Sequence, residues 1–179
     1  MDMDKPDSRP GDAAVVHRGL PPIVSERTAL LILGSFPGAR SLAQRRYYAH
    51  PQNQFWRILQ ALWPDEPLPM GEDSYQNRSN WLLDRSLGVW DVHASCERQG
   101  SLDSAIRNPM PNDIAGLRLP RLAAIAHNGA ESFRHAGHTR PLGLPVHRLP
   151  STSAANAAWS FERKLAAWRD VFERYLDIP

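Results

Sequence analysis

Cysteine, lysine and long apolar runs are all scarce in this chain of 179 residues. The lone cysteine, Cys96, can form no internal disulfide and cannot by itself hold zinc or an iron–sulfur cluster, because both need several soft ligands. No run approaches the roughly 20 apolar residues of a membrane span, and the acidic, proline-containing start is unlike a signal peptide. The sequence therefore predicts a cytoplasmic protein without a metal, a cofactor or a membrane partner.

Because lysine is scarce, arginine supplies 19 of the 21 basic residues. Its planar guanidinium binds phosphate bidentately and stacks on nucleobases. Two stretches are locally basic: residues 40–57 hold four arginines and no acid, and residues 107–148 hold six arginines and two acids. This distribution favours a polyanionic partner. The alternative is a solvated, arginine-rich surface that binds no partner.

Short apolar runs alternate with helical patterns along most of the chain. Strands are predicted at 29–33, 88–92, 121–126 and 145–149. Helices are predicted from Phe55 to Pro64, at 75–87, at 130–136 and after the N-cap Ser160. The alternation predicts one α/β domain over residues 20–179, a three-layer α/β/α sandwich with a mainly parallel central sheet. Residues 1–19, poor in large apolar groups, are expected to form a flexible tail.

Three loops follow predicted strands and should meet at the carboxyl edge of the sheet, where open α/β sheets bind ligands. The first contains GSFPG (34–38) and YYAHPQNQFW (47–56), the second is HNG (127–129), and the third is LPSTSAAN (149–156). They bring amides, hydroxyls and aromatics together, with no cluster of carboxylates. The edge is therefore the expected binding site.

These three motifs, in this order, resemble those of the uracil-DNA glycosylase superfamily, and their wording is similar to its hypoxanthine-DNA glycosylase branch, family 6. The resemblance extends over residues 28–175 and includes the segment GVWDVHASCERQGSLDSAIRNPMPND (88–113). It implies a monofunctional DNA glycosylase that flips uracil or hypoxanthine out of DNA and hydrolyses its bond to the sugar, leaving an abasic site for base excision repair. It also implies a monomer that works on DNA in the bacterial cytoplasm.

Two asparagines are the candidate catalytic residues. By resemblance to the asparagine of the family's HPxN segment, Asn53 would orient the attacking water; alternatively, it caps the helix that begins at Gln54. Asn128 would contact the base edge with both ends of its amide, or it is a turn residue before Gly129. An amide can donate to a carbonyl oxygen and accept from a ring N–H, and both uracil and hypoxanthine offer these groups. Asn128 therefore does not separate the two substrates.

Tyr48 would stack on the flipped base, by resemblance to an aromatic of the mismatch-specific uracil glycosylases, or it is an ordinary packing residue. The pocket wall would comprise Ser35, Phe36, Pro37 and Gly38, with His50 binding phosphate or holding the loop. The DNA-binding loop comprises Ser151, Thr152, Ser153, Ala154, Ala155 and Asn156. There the serines would contact phosphates and the last three residues would enter the gap that the base leaves; otherwise the loop caps the final helix.

The chain departs from other branches at Phe36, which stands where mismatch-specific enzymes have a catalytic asparagine and other uracil enzymes an aspartate. Asp91, at the end of a predicted strand, activates water or anchors a loop, and we favour the anchor. Because of this difference at Phe36, an alternative stays open: a DNA-binding protein without catalytic activity. Such a protein would bind uracil-DNA and form no abasic site. A small-molecule α/β hydrolase, which would also cleave free nucleosides, is the other alternative.

Two kinds of chemistry are disfavoured by what the sequence offers. His93, His127 and His147 lack the spacing of a zinc motif. A lyase reaction needs an amine for a Schiff base, and the chain offers only Lys5 and Lys164. We therefore expect hydrolysis alone.

Overall fold

The computed structural model describes residues 15–71 and 74–179. Its strands are β1 (Val16–Arg18), β2 (Leu30–Gly34), β3 (Leu87–Asp91), β4 (His93–Glu97), β5 (Arg107–Pro111), β6 (Ala124–Asn128) and β7 (Val146–Leu149). Its α-helices are α1 (Ala39–Gln44), α2 (Phe55–Leu62), α3 (Ser74–Asp84), α4 (Ala130–Arg134) and α5 (Phe161–Phe172). Among the described residues no helix is long and apolar enough to cross a membrane.

The central sheet has the strand order β3-β2-β6-β7, and every neighbouring pair is parallel. Strand β2 lies inside it, and all five of its residues are buried, as expected for a strand covered on both faces. The chain places β3 on one side of β2, and β6 and β7 on the other. This reversal is the switch point at which open α/β sheets bind ligands, beyond the carboxyl ends of the strands.

The two faces of the sheet are covered unequally. One face packs against α2, α3 and α5 around a large core that includes Phe55, Leu59, Trp168 and Phe172. The other face carries a smaller core around Leu31, Leu33 and Ile125, covered by α4 and short 3-10 turns. The architecture is the predicted α/β/α sandwich, with one thin layer.

The last helix begins as its sequence predicts. The Ser160 hydroxyl accepts a hydrogen bond from the Arg163 amide, and Glu162 lies in the positively polarised first turn. The other predicted helices and strands exist with shifted ends. In particular, β6 runs to Asn128, so that His127 and Asn128 belong to the strand rather than to the loop after it.

The prediction of a flexible tail over residues 1–19 is wrong for residues 16–18. Val16–Arg18 form β1, which pairs antiparallel with β4, and β4 pairs with β5 in a second, three-stranded sheet. Strand β1 has only three residues, and β5 is exposed and contains two prolines, so that the sequences of these two strands carry little strand signal. Residues 1–14 lie outside the described part of the chain.

Candidate functional site

A cavity of about 1090 Å³ lies at the carboxyl ends of β2, β3, β6 and β7. It is lined by every residue that the sequence analysis assigned to the site, from all three loops. These are Ser35, Phe36, Pro37, Gly38, Tyr48, His50, Asn53, Asn128, Ser151, Thr152, Ser153, Ala154, Ala155 and Asn156. The fold therefore brings the three sequence motifs to one place.

Asn53 lies just before α2 and contributes to the start of that helix. Its Oδ1 accepts a hydrogen bond of 2.9 Å from the amide of Phe55, the first residue of α2, although the N-cap position itself is Gln54, so that Asn53 supports the helix start from one residue earlier than the capping alternative predicted. A carbonyl oxygen has two lone pairs, and one of them is enough for the cap. The cap and a role at the cavity are therefore compatible.

Asn128 holds the third loop through both ends of its amide. Its Nδ2 donates to Thr152 Oγ1 at 2.9 Å, and its Oδ1 accepts from the Thr152 amide at 3.0 Å. The Thr152 carbonyl in turn accepts from the Gln54 amide at 2.9 Å. Thr152 thus joins the end of β6 to the residue after Asn53. Because Thr152 is completely buried, its side chain shapes the predicted DNA-binding loop from the inside.

Thr152→Val is expected to lower the free energy of unfolding by about 1–2 kcal/mol, because valine keeps the shape and removes the partner of the Asn128 N–H. Urea denaturation at neutral pH measures the change. Ser153→Ala, in the next and less buried residue, is the control and should change stability by less than about 0.5 kcal/mol. Equal stability of Thr152→Val and the wild type would contradict the role given to this pair.

Two side chains, those of Asp103 and Arg98, hold the GSFPG wall (34–38) in place. The Ser35 hydroxyl donates to Asp103 at 2.7 Å. Arg98 is buried, donates to the Pro37 carbonyl, and lies 5.1 Å from the centre of the Phe36 ring. Both partners come from the segment after β3, which the sequence analysis quoted as part of the resemblance without assigning its residues to the site.

Tyr48 occupies an unusual backbone conformation next to the cavity. Its φ is 54°, in the left-handed region that non-glycine residues rarely adopt. One face of its ring stacks on Phe55, with centroids 3.9 Å apart. Burial, and next the neighbouring Asp91, raise the pKa of its phenol, so that it stays protonated. One face of the Tyr48 ring is therefore packed against the core, as the packing alternative predicts. The residue nevertheless lines the cavity.

Carboxylates do collect at this edge, contrary to the expectation from sequence. Asp91, Asp103 and Glu131 all line the cavity. Asp91 is only 4% exposed, and burial and next Asp103 raise its pKa to about 8, against a decrease from Arg98. Burial also raises the pKa of Asp103, partly offset by the Ser35 hydrogen bond. Asp91 is the functional candidate that sequence reasoning undervalued.

The three histidines considered for zinc serve separate local structures. His127 is fully buried between Ser132 and Thr139, at 2.8 and 3.0 Å, and burial lowers its pKa to about 4. His93 packs edge-on against another histidine ring, and His147 contacts a tyrosine hydroxyl. In the part of the chain that the structure describes, no group of side chains has the arrangement of a metal site.

The third loop is shaped by its own hydroxyls. The Ser151 hydroxyl accepts from the Ser153 amide, and the Ser153 hydroxyl accepts from the Ala155 amide, both at 3.2 Å. Gly129, with a φ of 101°, lies directly beneath: a Cβ there would be 2.9 Å from that of Ser151. Ala154 and Ala155 are exposed, so that the tip of the loop projects from the protein.

Positive charge and aromatic surface surround the opening. Arg40 and Arg148 line the cavity. Trp159, just after the third loop, also lines it and is 37% exposed, with the Arg163 guanidinium 4.4 Å from the ring centre. His50 is exposed at the rim, where its Nδ1 accepts from the Gln52 amide. A polyanion with exposed bases would find complementary groups here.

Comparison with known families gives one match across most of the chain. The model of the Uracil DNA glycosylase superfamily matches residues 21–172. This range contains the four parallel strands and all three loops that line the cavity. The match therefore includes the whole candidate site.

Curated relatives and a solved structure agree with this match. Proteins named hypoxanthine DNA glycosylase from Methanosarcina barkeri and Methanosarcina acetivorans are each 34% identical, over 163 and 160 residues; the alignments cover 88% of this chain and 98% and 99% of the relatives. The solution NMR structure of a candidate uracil DNA glycosylase from Methanosarcina acetivorans superposes with a TM-score of 0.77 at 34% identity, covering 89% of this chain and 98% of that one. The similarity thus extends over nearly the full length of each relative.

Proposed function

Because the chain belongs to the uracil DNA glycosylase superfamily, it is a DNA N-glycosylase for deaminated bases, and we propose that it hydrolyses the glycosidic bond of hypoxanthine or uracil flipped out of DNA. In this proposal it acts as a monomer, without a cofactor, and leaves an abasic site. One observation carries it: the three motif loops line a single cavity at the switch point of the sheet. A flipped base needs such a pocket, since its reacting bond is hidden in the duplex.

Asn53 is the proposed water-positioning residue. Cleavage of an N-glycosidic bond gives the sugar oxocarbenium character and moves negative charge onto the departing base. Water must then be held at C1′. The second lone pair of Asn53 Oδ1 can accept from this water while the first remains on the Phe55 amide. The cap fixes the rotamer and so preorganises the catalytic oxygen.

Asn128 is the proposed contact to the base edge. Its hydrogen bonds to Thr152 use one N–H and one lone pair, and the amide retains another of each. These can donate to a carbonyl oxygen and accept from a ring N–H of the flipped base. The pair with Thr152 supports this role because it fixes which end of the amide is oxygen.

We also propose that the third loop and Trp159 contact DNA around the extruded nucleotide. Ser151 and Ser153 would bind flanking phosphates, and Ala154, Ala155 and Asn156 would enter the vacated gap. Alanines fill little of such a gap. Trp159 is the most exposed of the six tryptophans and lies on the same rim. With Arg163 on one ring face, the other can stack on a base that has lost its partner.

Trp159→Ala is expected to weaken binding to a duplex with an abasic site by about 5- to 100-fold, because base–aromatic stacking contributes ~1–3 kcal/mol. Trp159→Phe keeps a stacking ring and should stay within about threefold of the wild type. Fluorescence anisotropy at one fixed salt concentration measures both. Unchanged affinity of Trp159→Ala, with no change of tryptophan emission when wild-type protein binds, would contradict this contact.

The structure supports hydrolysis without lyase chemistry. Lys164 is 2% exposed on α5, donates to Gln54 Oε1 at 3.0 Å, and is not among the residues that line the cavity. Burial lowers the pKa of its amine, but the amine has no route to C1′. The other lysine, Lys5, lies outside the described residues.

Base excision on labelled oligonucleotides tests the proposed function. Duplexes with one hypoxanthine, uracil, xanthine or mismatched thymine are incubated with the protein, treated with alkali and separated on a gel. We expect strand breaks at hypoxanthine or uracil only after alkali, since no lyase step occurs. Retained binding with no break at any base would overturn the proposal in favour of a DNA-binding protein on this fold, an alternative suggested by Phe36 at the position of the usual catalytic residue.

A further inference from the structure

Among the buried polar atoms without a hydrogen-bond partner within 3.5 Å in the part of the chain that the structure describes, two belong to side chains that line the cavity. They are Oδ2 of Asp91 and the hydroxyl of Tyr48, whose neighbour is the Asn128 amide. Buried polar groups are almost always paired in folded proteins, because an unpaired one costs its full desolvation. A ligand in the cavity would supply the missing partners.

Asp91 is held rigidly at this position. It ends β3 and lies beside Gly34, the last residue of β2, in register. A Cβ on Gly34 would be 2.4 Å from Asp91 Oδ1 and 3.5 Å from the Tyr48 hydroxyl. Both unpaired side chains thus pack over the same glycine, which makes room for them. With only 4% of its surface exposed, the Asp91 side chain has little room to turn towards other partners.

The surroundings favour the neutral form of this carboxyl. Burial, and next Asp103, raise the pKa of Asp91 to about 8, and the Arg98 guanidinium opposes this increase. The phenols that also face it are Tyr47, Tyr48 and Tyr75. Unlike a carboxylate, a protonated carboxyl carries both a donor and an acceptor.

We propose that Asp91 reads the flipped base as a neutral carboxylic acid, donating its O–H to a carbonyl oxygen of hypoxanthine or uracil. This inference rests on the proposed function and assigns one contact within that site. Negative charge moves onto the base as the glycosidic bond breaks, so that the donated hydrogen bond strengthens in the transition state. An ionised Asp91 would instead repel the departing base.

Single-turnover excision from pH 6 to pH 10 tests the assignment with wild type, Asp91→Asn and Asp91→Leu. The wild-type rate constant is expected to fall about tenfold per pH unit above about pH 8. Asp91→Asn, which keeps an N–H donor and cannot titrate, should stay within about tenfold of the wild type at pH 6 and lack this fall. Asp91→Leu should be ~100-fold slower than the wild type at pH 6 and should also lack this fall. Titration of the base itself would affect wild type and Asp91→Asn alike.

An infrared difference spectrum gives a readout that does not depend on cleavage. The wild type minus Asp91→Asn at pH 7 should show a protonated-carboxyl band, and free hypoxanthine should shift it. If the wild type cleaved none of the substrates, the proposed function itself would be overturned. An active wild type whose pH profile and carboxyl band match those of Asp91→Asn would overturn the assignment of Asp91 alone.

Discussion

Replacing Asn53 by alanine is expected to lower the single-turnover rate of base excision by ~100-fold, because it removes the oxygen proposed to orient the attacking water and a small misplacement of a reactant can cost that much. Affinity for an abasic duplex should change little, since the substitution removes no proposed phosphate contact. The same substitution removes the hydrogen bond to the Phe55 amide. We therefore also expect it to lower the free energy of unfolding by about 1 kcal/mol.

Asn53→Ser separates the catalytic role from the cap. Serine is as good a cap as asparagine, but its hydroxyl is shorter and cannot reproduce the amide. This variant should retain wild-type stability in urea and lose activity as fully as Asn53→Ala. If Asn53→Ser were both stable and fully active, the residue would be only a helix cap, and the water would be positioned elsewhere.

Asp91→Asn is expected to remove a pH dependence of stability that spans several pH units. The pKa of Asp91 is raised from 3.8 to about 8 in the folded protein, so that the folded state retains a proton that the unfolded chain has lost between these values. Its contribution is fully present below the lower value and is lost as pH rises through the higher one. The wild type should thus lose up to ~1.4 kcal/mol per pH unit relative to Asp91→Asn.

Urea denaturation of both proteins at pH 5, 7 and 9 measures this difference. His93 and His127, whose pKa values burial lowers to about 4, titrate in both proteins and cancel in the comparison. Asp84→Asn, at an exposed aspartate on α3 that is ion-paired with Arg27, is the control for the loss of a surface carboxylate. An equal stability difference between wild type and Asp91→Asn at pH 5 and pH 7 would mean that Asp91 is ionised in the folded state.

The location of the candidate site could be predicted because it depends on a rule of strand order rather than on contacts. Apolar runs identify buried strands, and parallel strands bring the loops at their carboxyl ends to one edge. The three loops at 34–56, 127–129 and 149–156 therefore met as predicted. Their roles in catalysis and DNA binding remain proposals that the experiments above address.

Local sequence patterns predicted strands less well where the strands that pair are distant in the sequence. Strands β1, β4 and β5 come from three separate stretches, and each forms only because the others lie beside it. His127 illustrates the same limit: the sequence places it in the loop HNG, yet it belongs to β6 and its ring is enclosed by Ser132 and Thr139. A residue's neighbours in space, not its neighbours in sequence, decide whether it meets solvent.

The sequence by itself determined the α/β alternation, the three motif loops and the family, because these depend on short-range patterns and on their order. Only the tertiary structure decided whether Asp91 is buried. The residue ends a strand in either case, but its desolvation requires Gly34 beside it and the segment of Asp103 and Arg98 packed around the same cavity. Burial is a property of the assembled fold, and burial is what raises the pKa of this aspartate above its ordinary value.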